Sequence, residues 1–412
     1  MLEDLFSKRR FIIRHREEPF GHYIDAFIER MTSQGYSRFN MRYVTQTVRR
    51  FGCWLRRRKL GACHMSKETI KEFSQKYSIP DWIRHGGQAG LHSLLDHLIQ
   101  AGVVVYKVPL IEDSPLTRIE QEFRYFLRQD RALSLATIQN YCPVARLFMS
   151  ERFGSGQLEL LKLSVLDIQD FVSRHAHKHS AKRVQLMLTA LRSFLRYLHL
   201  RGHIAVGLVD HVPKVASWRL SESPKWLGSD DIERILSSCN KRSVVGQRNH
   251  AVLMLLARLG LRAGEVVSLK LEDIRWEAGE ITVCGKGRER KRFPIPEDVG
   301  RSLALYLKNA RPKCNSCHVF LKTRAPYHEL SGSTSLSTIV RRAVDKAGLH
   351  PPSTGAHLFR HSLATSMLKK GATLNEIGQI LHHKSPNTTA IYAKVDFCSL
   401  QTLAQPWPGD RS

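Results

Sequence analysis

The stretch from His357 to Tyr392 reads HLFRHSLATSMLKKGATLNEIGQILHHKSPNTTAIY, and its crowded helix signals commit it to three short helices. Thr354 is placed to cap a first helix whose apolar face carries Leu358, Leu363, Met367 and Leu368. Lys369-Lys370-Gly371 ends it with cations and a glycine, both suited to a C-terminus. Thr373-Leu374-Asn375-Glu376 is a capping box opening a second helix from Ile377 to Leu381. Ser385-Pro386 then supplies an N-cap and a first-turn proline for a third helix carrying Tyr392. The same stretch holds a His-x-x-Arg pair (His357, Arg360), a later His382-His383, and a tyrosine nine positions after His383. Cations and hydrogen-bond donors gathered round one phenol suit a site that holds a phosphodiester and attacks it with tyrosine.

Upstream, Asn249 to Ala257 is a strongly apolar helix ending at Gly260, followed by Leu261-Arg262-Ala263-Gly264-Glu265. An arginine flanked by leucines between two helices is fixed by packing and still projects its fork. That fork suits two non-bridging phosphate oxygens better than a lysine does. A purely structural Arg262–Glu265 pair is the alternative, and the later His357 and Arg360 weigh against it. Glu265 itself reads as structural, orienting the arginine. Glu280 to Val283 and Arg292 to Ile295 alternate as strands around the tip Gly285-Lys286-Gly287-Arg288-Glu289-Arg290. Two glycines around Lys286 make a tight hairpin tip, and a hairpin that only grips phosphate is the plainer reading.

Taken in order, these positions resemble the catalytic domain of the tyrosine recombinases, the phage integrase family. Arg262 to Glu265 matches its Gly-Leu-Arg-x-x-Glu box, Lys286 its Gly-Lys-Gly turn, and His357-Leu358-Phe359-Arg360 its His-x-x-Arg. Leu381-His382-His383 stands where the family has Leu-Gly-His, and Tyr392 follows at the family's spacing. His382 departs from the pattern; His383 is taken as the phosphate-facing histidine because its distance to Tyr392 fits. The resemblance implies a site-specific DNA recombinase or integrase, with a transposon or phage origin, working through a 3′-phosphotyrosyl intermediate without ATP, metal or cofactor. It implies Tyr392 as nucleophile, Arg262, Arg360 and His383 on the phosphorane oxygens, Lys286 (with Lys291 as runner-up) as acid to the leaving oxygen, and His357 as base or positioner. It further implies double-stranded DNA as partner and four protomers, identical or mixed with other recombinases, on two DNA sites. Cys398 to Ser412 would dock on a neighbour through Leu400, Leu403 and Trp407. Two alternatives stand beside this reading: a type IB topoisomerase-like enzyme, and an accessory recombinase that binds DNA with little activity alone.

Composition agrees with a nucleic-acid partner. With 64 Lys+Arg against 37 Asp+Glu the formal net charge is +27, which calls for a polyanion. The chain shows no long uncharged apolar run and its first residues do not open a signal peptide, so a cytoplasmic protein without membrane contact is expected. Scattered cysteines read as reduced thiols. Cys314-Asn315-Ser316-Cys317-His318 has one CxxC and no second pair, so it reads as a loop rather than a zinc or haem site.

The expected fold class is mainly α with a small β-sheet (α+β): one or two helical SAM-like DNA-binding domains followed by a tyrosine-recombinase catalytic domain. Residues 1–110 read as a basic helical region in which Tyr23, Phe27 and Met31 share a face. There Thr45 to Lys59 mixes Val48, Phe51, Trp54 and Leu55 with arginines. At helical spacing the aromatics read as core rather than as base-stacking platforms. Residues 113–205 resemble the family's core-binding (SAM-like) domain, with Arg183, Arg192, Arg196 and Arg201 as backbone-contact candidates. In it Phe123 to Leu127 begins one helix, and others start at Ser134 and Val165 and span Ser180 to Leu200. Ser37, Phe51, Ile70 and Phe73 line up with Ser134, Phe148, Ile168 and Phe171 at offsets of 97 to 98. Leu91, Leu94, Leu95, Leu98 and Gly102 match Leu191, Phe194, Leu195, Leu198 and Gly202 at offset 100, so a duplication and chance similarity both stand. Residues 206–227 read as a linker, 228–399 as the catalytic domain with Ser229 capping its first helix, and 400–412 as a tail.

Overall fold

The computed structural model describes residues 2–17, 19–76, 81–105, 114–154, 157–204, 207–214, 225–285, 289–383 and 385–395. Lys286 and the tail anchors Leu400, Leu403 and Trp407 lie outside the described residues. By contact the chain forms two compact units, 106–221, and 1–105 together with 222–412.

The first unit is helical: Pro115–Gln129, Leu135–Phe153, Val165–Ala176 and Ala181–Leu200. Serine caps start the first three, with Ser114, Ser134 and Ser164 accepting from the backbone N–H of Thr117, Thr137 and Asp167. Phe123 to Leu127 lies in the second half of its helix rather than at its start, because Ser114-Pro115 already provides cap and first-turn proline. Phe123, Phe148, Phe171 and Phe194 are buried at the centre. The stretch expected to run free as linker begins packed: Leu208 and Val212 are buried in this core, and Arg192 donates to the Val212 and Pro213 carbonyls. Arg192 is therefore spent on its own chain, and Arg201 pairs with Asp130 at 3.0 Å.

In the other unit, residues 2–104 build their own core from Ile24–Ser33, Arg38–Arg57, Lys67–Lys76 and Asp81–Gln100, with two short helices before them. Phe51 and Trp54 are buried in it, so these aromatics are core.

The carboxy-terminal core surrounds Val244–Leu259, whose residues Ala251 to Leu256 are all buried. A run of six residues apolar on every face belongs at a domain centre. Helices Ser229–Ser237, Glu297–Asn309, Gly332–Lys346 and His357–Lys369 pack round it. Phe359 of the last is fully buried, and its truncation to alanine would cost about 3–5 kcal/mol. A three-stranded antiparallel sheet, Ile274–Arg275, Glu280–Cys284 and Arg290–Pro294, adds Ile281, Val283 and Phe293 to the core. Its two-residue first strand is too short to show alternation in the sequence.

Two caps differ from expectation. Gly228, not Ser229, caps the Ser229–Ser237 helix, whose first turn carries Asp230 and Asp231. His357 opens its helix behind Ala356 with no side-chain cap, so Thr354 does not serve.

Candidate active site

Arg360 is the hinge pin of the site. It is 4% exposed, and its guanidinium donates to the Gly260 carbonyl at 2.6 Å and to the Leu381 carbonyl. Gly260 ends the Val244–Leu259 helix in a left-handed conformation (φ +59°), and Leu381 ends Leu374–Ile380. One arginine thus satisfies carbonyls at two helix C-termini, where the backbone dipole favours a cation. It also ties the strand of chain bearing Arg262 to that bearing His383. A Cβ at Gly260 would lie 2.8 Å from a Leu381 methyl and 3.0 Å from a Leu363 methyl, so a side chain there must displace them as well as adopt a positive φ.

Arg262 caps the Ala263–Val267 helix, and buried Glu265 binds it twice. One carboxylate oxygen accepts from the Arg262 backbone N–H at 2.8 Å, the other from its Nη1 at 2.9 Å. About a third of the Arg262 side chain stays exposed, so the fork is aimed and still reachable.

The Thr373–Glu376 capping box forms in full. His382 then follows at φ +49°, in the left-handed region, with its ring edge-on to Phe293 at 4.7 Å. This turn is what glycine would take without strain, which explains a His-His pair that bends like Gly-His. Past the turn, His383 Nδ1 lies 2.7 Å from Thr389 Oγ1, leaving Nε2 available. Burial first, and then Arg360 and Arg262, push its pKa down to about 4.

Ser385-Pro386 opens only a short α-turn, Pro386–Thr389, without a side-chain cap bond, and Tyr392 rides on the 3-10 segment Ala390–Val395. Tyr392 is 1% exposed, among Ala364, Ile377 and Leu381. Its ring stacks beside His383 at 6.4 Å and its hydroxyl lies 3.0 Å from Nδ1 of His361. Burial raises the phenol pKa to about 12, against the pull of Arg360 and Arg262. The resting phenol is neutral and covered.

His361 was not singled out from the sequence. It follows His357 by four positions on one helix face, with the rings 6.4 Å apart, and that spacing was the available signal. His357 itself stands exposed at the start of the helix. On the hairpin, Lys291 points inward: its side chain is 10% exposed and its Nζ donates to the His382 carbonyl at 3.1 Å. Lys291 and His383 line one open cavity of about 560 Å³ together with Asn387 and Thr389. The structure brings together Arg262, His357, Arg360, His383 and Tyr392; Lys286 is the one expected site residue outside the described set. Cys314 is half-buried and Cys317 exposed, and among the described residues no cluster of three metal-ligating side chains occurs.

Comparison with known proteins yields two family models: the phage integrase family over residues 225–398, and the phage integrase N-terminal SAM-like domain over residues 121–202. The chain is 40% identical over 401 residues to "Putative integrase/recombinase y4rA" of Sinorhizobium fredii, covering 96% of this chain and 97% of that one. It is 32% identical over 287 residues to tyrosine recombinase XerD of Listeria monocytogenes, covering 67% of this chain and 93% of the other. The crystal structure of XerH site-specific recombinase bound to palindromic difH substrate shares the fold, with TM-score 0.56 and 22% identity. That match covers 70% of this chain and 84% of the other.

Proposed function

The chain belongs to the phage integrase family and is a tyrosine-type site-specific recombinase, and from this premise we propose that Tyr392 is the nucleophile that breaks and rejoins its DNA strands. The observation that carries this assignment is the Arg360 fork, which fixes the backbone on either side of the site. A scissile phosphate in the cleft meets Arg262, the free donors of Arg360 and Nε2 of His383. These groups stabilise the charge that builds on the phosphorane oxygens, where donors already in place contribute most. Tyr392 Oη attacks phosphorus, the P–O5′ bond breaks, and a 3′-phosphotyrosyl bond remains. The phenol proton leaves to a histidine, His361 in the resting contact or His357 at the rim, and the departing 5′ oxygen takes a proton from Lys286. Attack by a 5′ hydroxyl from a partner strand reverses the step, and the retained ester makes ATP unnecessary. The substrate is double-stranded DNA, in keeping with a net charge of +27 and with the difH complex of XerH. Family resemblance supports four protomers on two sites. That no helix among the described residues is long and apolar enough to cross a membrane is compatible with work on cytoplasmic DNA.

Tyr392 must leave its cover to act. A nicked suicide duplex bearing the element's own end sequences should trap a covalent protein–DNA adduct, visible on a denaturing gel, with wild type and not with Tyr392→Phe. An adduct that survives in Tyr392→Phe sinks the assignment. Tight binding without any adduct, cured by adding a second recombinase, would make this chain the accessory partner.

A further inference from the structure

We infer that residues 2–104 form a second copy of the SAM-like fold and carry their own contact surface for double-stranded DNA, on the exposed face of the Arg38–Arg57 helix. The inference rests on the recombinase reading and adds to it a surface that neither matched family model includes.

Structural agreement between the two helical sets goes beyond shared amphipathicity. Ser37 caps its helix through Asn40 N–H as Ser134 does through Thr137 N–H, and the helices that follow have 20 and 19 residues. Each set then has a three-residue 3-10 turn, a shorter helix, and a closing helix of 20 residues. Phe51 meets Phe73 edge-on at 5.2 Å and 75°, and Phe148 meets Phe171 at 5.2 Å and 80°. Phe27 tilts against His97 at 46°, and Phe123 against Tyr197 at 45°. Both closing helices end alike: Gly102 and Gly202 have φ of +71° and +73°, and the next residue donates to Leu98 or Leu198. Chance similarity between amphipathic helices does not reproduce ring angles and chain reversals at matched positions.

The surfaces of the two copies differ. From Arg30 to Lys67 the chain has ten Lys and Arg and not one Asp or Glu. Phe39, Gln46, Arg50 and Arg57, all exposed, follow at steps of seven, four and seven, which is one face of a helix. Phe39 is 76% exposed at its head. Arg49, Arg50 and Arg57 make no hydrogen bond or ion pair among the described residues. In the other copy Arg146 and Arg152 of the corresponding helix are both paired, with Glu120 and Asp167. A row of unpaired guanidinium groups repels itself and costs stability unless a polyanion meets it. A phosphate backbone supplies that charge at a spacing that a long helix can follow.

The test uses the full chain and a 40-base-pair duplex of arbitrary sequence, with fluorescence anisotropy read across a salt series. Each phosphate contact contributes about 0.9 to the slope of log affinity against log salt. Replacing Arg49, Arg50 and Arg57 together by Gln should flatten that slope by about 2.7. Between 50 and 200 mM salt, wild type should then lose about 40-fold more affinity than the variant. The matching triple Lys variant should keep the wild-type slope, which separates charge from any change of shape. An unchanged slope in the Gln variant overturns the inference, and so does lost binding to another recombinase with the DNA slope intact. Wild type that shows no salt-dependent binding to duplex would instead sink the recombinase reading itself.

Discussion

Two adjacent histidines sit in different surroundings, and backbone conformation separates them. His382 occupies a left-handed position that costs a non-glycine residue about 1–2 kcal/mol. Its edge contact with Phe293 returns about 0.5–1.5 kcal/mol, so the two nearly cancel. His382→Gly should therefore shift the melting temperature by only a few degrees and keep adduct yield on the suicide duplex. His383→Gln removes the ring that stacks beside Tyr392, and adduct formation should fall by about 10²-fold, the scale of one lost oxyanion donor. Equal losses from the two substitutions, measured as single-turnover cleavage rates, would mean that the turn and not the Nε2 atom carries the effect.

The elements of the candidate site are joined through backbone carbonyls and a close approach at one glycine. Gly260 shows this, because a methyl group there faces positive φ, a Leu381 methyl at 2.8 Å and a Leu363 methyl at 3.0 Å. Gly260→Ala should destabilise the chain by about 2–4 kcal/mol, read as a lower denaturation midpoint, with cleavage lost in step. A midpoint equal to wild type would mean that the Leu363 and Leu381 side chains yield freely and that the joint is soft. The elements themselves were largely legible from the sequence: the Thr373–Glu376 box, the strongly apolar Asn249–Ala257 run and the Glu280–Pro294 hairpin all announce themselves by spacing. What the sequence does not carry is distance. Nothing local shows that Arg360 bonds Gly260, a hundred residues earlier, or that Lys291 reaches the His382 carbonyl. His361 escaped for the same reason, since its meaning comes from a phenol 31 residues away. Thr354 failed as a cap because the chain turns into the helix two residues later than a capping side chain requires.

At the scale of the whole molecule, buried histidines set how stability follows pH. Burial first, with nearby cations adding, pushes His250 and His383 down to about 4, and it lowers His15, His97 and His361 as well. In the unfolded chain these groups titrate near 6.5. A folded pKa below the unfolded one means that the unfolded state binds more protons between the two values, so acid favours unfolding. Their contribution is complete above about pH 6.5 and disappears as pH falls toward 4. Tyr392, raised to about 12, acts oppositely: its contribution is complete below about pH 10 and is lost above it. The melting temperature should hence be flat from about pH 7 to 9.5 and fall on both sides. The acid limb is also steepened by the charge of +27, since protonating carboxylates adds to self-repulsion. His250→Gln separates the two effects. It keeps an amide near Ser302, which the imidazole meets at 2.7 Å, and removes one titrating group. Its acid limb should be shallower than wild type by up to about one proton, while the limb owed to global charge remains. Identical acid limbs in scanning calorimetry would assign the whole fall to charge repulsion and leave the buried histidines without a part in it.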